Sequence, residues 1–190
     1  MTAFEYITVL ISIILGMGIT QIVTGIADMV TQWSRVKIYW PHLLWVAFVF
    51  FLHIQDWWET FNLQEFTVWK LSTFLVVILY PINLFILARL LFPFGQDQST
   101  NSVDFKEFYF SNYRKFFLWL VILSLLSMIN NIFITNYSWH DQLAPASILI
   151  CLGFIAWRDI RSSILHQAIA IVLWLIIVAV LTIQDFQIGN

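Results

Sequence analysis

The stretch LLWVAFVFFLHIQDWWET, Leu43 to Thr60, decides the fold. Its first ten residues carry no charge and read as the body of a membrane helix, yet His53, Asp56 and Glu59 follow within the same helical segment. Hydrocarbon charges several kcal/mol for a buried carboxylate or imidazolium. At 100° per residue His42, Val46, Val49, His53, Asp56 and Thr60 fall on one stripe, with Glu59 about 60° from it. That stripe is expected to face the interior of a helical bundle or a wet cavity, never lipid.

The rest of the chain fits this reading. Of 190 residues 61% are hydrophobic and only 11% charged, with a mean hydropathy of +0.83, against about 25% charged in soluble domains. The 18 Phe and 10 Trp suit a protein with many membrane–water boundaries. A net charge of −2 gives no reason to expect nucleic acid as a partner. The lone cysteine, Cys151, excludes an internal disulfide, a CxxC redox pair and a thiolate metal cluster.

A hydrocarbon core of about 30 Å takes about 20 apolar residues in a helix. Six such segments predict an all-α, polytopic transmembrane bundle: Ala3–Val30, Tyr39–Trp58, Leu71–Phe92, Phe116–Ile134, Leu143–Trp157 and Ile164–Ile183. The fifth is the shortest. Six spans with N-terminus and C-terminus both outside put Arg35, Lys37, Arg89, Lys106, Arg114, Lys115, Arg158 and Arg161 inside and only Lys70 outside, as the positive-inside rule requires. Residues 1–93 then hold the first three helices and 116–190 the last three. Between them, 94–115 is a cytoplasmic linker with a short interfacial helix, on which Phe105, Phe108 and Tyr109 share one face while Lys106, Arg114 and Lys115 can reach lipid phosphates.

The polar residues within the spans are the candidate site. His53, Asp56 and Glu59 lie toward the outer end of the second helix and His42 at its inner start. Gln21 lies on the first helix, and Ser124, Ser127 and Asn131 share a face of the fourth, with Asn130 beside it. His53, Asp56, Asn130, Asn131, His140 and Asp141, joined by Glu5 and Asp185, predict an acidic, His-containing outer vestibule that attracts cations. Gly16, Gly18 and Gly25 on the first helix read as close-packing positions for another helix, in this chain or a second copy, or as a loosened point where carbonyls meet an ion.

Ligand chemistry is sparse. Bis-His haem would need partners from His140, in a loop, and His166, near a helix end, and no dense ligand spacing supports zinc or copper at His53, Asp56 and His140. No cofactor or metal is expected. The chain has no GxSxG, no P-loop and no loop long enough for a catalytic domain, so an enzyme is not expected either. The polar residues within the spans predict a small channel or transporter for protons or other small cations in a bacterial inner membrane, with His53 and Asp56 at the outer end of the pathway and Gln21 and Asn131 lining it. The alternative is a non-catalytic sensor or scaffold, a homo-oligomer or the subunit of a partner membrane protein, associating through its helices.

Overall fold

The computed structural model describes residues 2–66, 68–93, 102–133 and 142–183. These form six α-helices, α1 (Ala3–Thr31), α2 (Trp40–Glu59), α3 (Leu71–Leu90), α4 (Phe105–Phe133), α5 (Leu143–Arg158) and α6 (Ser163–Ile183). Each of the six apolar segments is a helix. Four of them, α1, α3, α4 and α6, are long and apolar enough to cross a membrane. The α5 helix is apolar but has 16 residues, and α2 has the length at 20 residues but is made less apolar by its own His, Gln and carboxylate side chains.

Local chemistry sets the helix starts. Thr2 and Glu5 form a reciprocal capping box at α1, Pro41 occupies the first turn of α2, and Asp104 Oδ1 accepts the backbone N–H groups of Lys106 and Glu107 at 2.9 and 3.2 Å to open α4. Two-residue strands, β1 (Val36–Lys37) and β2 (Val103–Asp104), pair in parallel just before α2 and α4. Parallel pairing starts those two helices at the same face of the bundle.

Long-range contacts extend this to the whole chain. Gly25 of α1 meets Phe92 beyond α3, His42 Nε2 reaches the Leu91 carbonyl at 2.8 Å, Arg114 Nε donates to the Ala156 carbonyl of α5 at 3.0 Å, and Tyr39 meets Ser163 of α6 at 3.1 Å. The helices therefore alternate in direction, and the basic residues of both halves gather at one end.

The α2 helix is central, packed against α1, α3, α4 and α6, while α5 packs on α4. Trp45, Val46, Phe48, Val49 and His53 of α2 are buried. The outer faces are apolar instead: Val9, Ile13, Met17, Val23 and Val30 on α1 and Val172, Leu175, Ile176 and Val178 on α6 are all exposed. An apolar exterior around a core that holds the histidines is what a hydrocarbon solvent selects.

One element differs from expectation. Residues 105–115 are not a separate interfacial helix but the first three turns of the 29-residue α4, because no Gly or Pro interrupts the sequence from Phe105 to Phe133. The shared face of Phe105 and Tyr109 is buried within the bundle, their rings 5.2 and 6.0 Å from the His42 imidazole.

Candidate functional site

The stripe on α2 is sheltered as the sequence requires, but its members serve different neighbours. His53 is fully buried; its Nδ1–H donates to the Val49 carbonyl one turn back at 2.7 Å, and its imidazole edge lies on Gly18 of α1, where a Cβ would collide with Nε2. Asp56, one turn further, has an Oδ2 that is buried with no hydrogen-bond partner, and Tyr80 of α3 lies within electrostatic reach of Asp56 and Glu59. Glu59 itself accepts from Asn62 Nδ2 at 2.8 Å. His42 lies at the basic end, buried under Phe105, Phe108 and Tyr109.

The other expected pathway residues are not gathered around His53. Gln21 Oε1 accepts from Arg89 Nη1 at 2.9 Å across the α1–α3 contact. Asn131 is half-buried near the end of α4. Glu5 is in the capping box at the start of α1, and His140, Asp141 and Asp185 lie outside the described residues. Of the three glycines, Gly18 receives His53, Gly25 receives the Phe92 ring, and a Cβ added at Gly16 would meet nothing within 4 Å. The α1 helix runs unbroken through all three, and the two buried ones are filled by this chain's own side chains.

A wide opening lies elsewhere. A cleft of about 760 Å³ runs between α2, α4, α5 and α6, within the roughly 300–1,000 Å³ of small-molecule sites. Its walls are apolar, with Leu120 and Leu123 from α4, Ile148 and Leu152 from α5, and α6 from Ala168 to Leu181. Its polar groups are Gln55, Glu59, Tyr80, Ser124, Ser127 and Ser147. Glu59 is the one charged side chain among the residues lining it, and no Lys or Arg is there. Neither His53 nor Asp56 lines it.

The cleft exists because α5 and α6 are pinned together only where they join. Tyr113 Oη donates to Asp159 Oδ1 at 2.6 Å, Arg161 approaches the same carboxylate at 3.3 Å, and Tyr109 Oη meets His166 Nδ1 at 2.7 Å while His166 Nε2–H donates to the Ile160 carbonyl at 2.8 Å. Phe117 stacks on the imidazole at 5.5 Å, and Tyr113 presents its edge at 4.8 Å. The Tyr113 hydroxyl, then Arg161, hold the Asp159 carboxyl below its ordinary range. From this latch α5 follows α4 and α6 follows α2, tied by Trp174 Nε1–H to the Leu44 carbonyl at 3.0 Å. The two helices diverge.

Sequence reasoning treated Arg158 to Arg161 as a plain basic flank and set His166 aside. The i, i+4 aromatic run Tyr109, Tyr113 and Phe117 was the available signal, since that spacing lays three rings on one face. Among the described residues no three His, Cys, Asp or Glu side chains converge on a point that could hold a metal ion. No protein-family model, curated protein or solved structure matches this chain.

Proposed function

We propose that this chain is a six-span integral membrane protein, with both termini outside, that binds and moves an amphipathic cation through the cleft between α5 and α6. The α2 and α5 helices complete the six spans. The proposal keeps the cation transport expected from the sequence and places its site at the cleft instead of at His53. The observation that carries it is the lining: a large apolar volume whose single charged residue is the Glu59 carboxylate, beside the aromatic rings of Trp58 and Tyr80. An apolar body gains by burial there, and a positive head gains from a carboxylate and π-faces. An anionic phospholipid headgroup finds no basic partner among the lining residues.

The test is equilibrium binding of tetraphenylphosphonium to purified protein in liposomes. Saturable retention is expected, weakened about tenfold by Glu59→Gln, the equivalent of roughly 1.4 kcal/mol, and lost in Ala168→Trp, which fills the cleft. Retention no greater than in protein-free liposomes would overturn the proposal.

A second reading, proton or small-cation conduction at the outer half of α2, is favoured by the buried Asp56 Oδ2 that lacks a hydrogen-bond partner. Proton flux in liposomes that falls in Asp56→Asn while Glu59→Gln leaves it intact would select this reading over the cleft.

A further inference from the structure

We propose that one ordered water molecule occupies the pocket between His42 and Trp45 and completes a hydrogen-bonded chain across the basic end of the bundle, from α3 to the α5–α6 junction. His42 and Trp45 are both buried, and both line a cavity of about 10 Å³ with Tyr109 and Asn112. A single water needs roughly 10–15 Å³ by the same measure, and two to four polar partners.

The partners are complementary. His42 Nε2 bonds to the Leu91 carbonyl, an acceptor only, so the proton sits on Nε2 and Nδ1 is left with a lone pair. That Nδ1 is buried with no hydrogen-bond partner. Trp45 Nε1–H, a donor only, is also buried without one. It lies near the Tyr109 hydroxyl without reaching hydrogen-bond geometry. Tyr109 Oη donates to His166 Nδ1, because His166 Nε2 carries the proton that bonds Ile160, so its oxygen lone pairs are open to a donor. A water here accepts from Trp45 Nε1–H and donates to His42 Nδ1 and Tyr109 Oη. Three bonds are the usual complement of a buried water.

The resulting chain runs from the Leu91 carbonyl through His42, the water, Tyr109 and His166 to the Ile160 carbonyl. It ties the end of α3, the starts of α2 and α4, and the latch at the base of the cleft into one network. It does not depend on what the cleft binds. Without the water, two buried polar atoms would be left without a hydrogen-bond partner.

The test is solid-state NMR of the full chain, ¹⁵N-labelled at His and Trp, in liposomes. The expected result is magnetisation transfer from water to the buried Trp45 indole proton, together with His42 in the neutral Nε2–H form. Absence of that transfer, or His42 in the Nδ1–H form, would overturn the proposal. Trp45→Phe keeps a ring among Phe48, Phe116 and Phe117, whose centroids lie 5.3–5.8 Å away, and should abolish the water contact at His42 Nδ1. An unchanged contact would show that the imidazole is wetted from elsewhere and would equally overturn the bridge.

Discussion

Gly18 and His53 show what a membrane interior demands of single residues. An imidazole cannot face lipid at acceptable cost, and α1 admits it by offering a residue with no side chain at the point of contact. Adding one methyl group there forces the ring or the helix to move. Gly18→Ala should therefore destabilise the protein by about 1–3 kcal/mol, the usual cost of overpacking. Gly16→Ala, with nothing within 4 Å, should stay within about 0.5 kcal/mol of wild type. Combining Gly18→Ala with His53→Ala should cost less than the sum of the two, with a coupling of about 1 kcal/mol. Thermal or denaturant unfolding in detergent measures all four variants. Equal effects of the Gly16 and Gly18 changes would show that the imidazole does not rest on α1. The sequence identified both members of this pair but gave no sign that they meet. Spacing locates a residue on its own helix and says nothing of which helix lies opposite.

Between residue and bundle, the α5–α6 hairpin depends on one carboxylate. Asp159 ends α5 with φ 49° and ψ 46°, a left-handed conformation that Gly and Asn accept more readily than Ala. It also takes the Tyr113 hydroxyl and the Arg161 guanidinium. At neutral pH the stability order should be wild type, then Asp159→Asn, which keeps the backbone and an acceptor for Tyr113. Asp159→Gly, which keeps only the backbone, and Asp159→Ala, which keeps neither, should follow.

The sign of the pH effect follows from the direction of the shift. Because the folded carboxyl titrates below its ordinary value of 3.8, its contribution is complete above that value and fades as pH falls through the folded one. The gap between wild type and Asp159→Asn should accordingly persist down to pH 3.8 and close only as pH falls further. Thermal midpoints at neutral and acid pH decide this; an Ala variant as stable as Gly, or a gap indifferent to pH, would remove the latch. The basic character of Arg158 to Arg161 was legible in the sequence, because charge next to an apolar run is a one-dimensional signal. The latch was not, because it depends on Tyr113 and Asp159, 46 positions apart, coming within 2.6 Å.

Taken as a whole, the molecule makes sidedness its most exposed claim. The six helix positions were readable because a 20-residue apolar run is a property of consecutive residues. The cleft was not, since it arises from the divergence of α5 and α6, which hydropathy does not encode. The structure brings the starts of α2, α4 and α6 and the ends of α3 and α5 to one face, and the parallel β1–β2 pair with the Lys37–Asp104 contact at 3.9 Å closes that face. Eight of the nine basic residues then share a side, and the proposed orientation, which follows the bias of Lys and Arg in short loops, puts that side in the cytoplasm. In a Cys151→Ser background, Thr2→Cys and Asn62→Cys should react with a membrane-impermeant maleimide added to intact cells. Lys37→Cys and Arg161→Cys should react only after permeabilisation. Labelling of the second pair alone in intact cells would invert the orientation, and labelling of all four would mean that α1 and α2 do not carry the chain across and back. Inversion would place the mouth of the cleft and Glu59 on the wrong side to meet a cation arriving from outside.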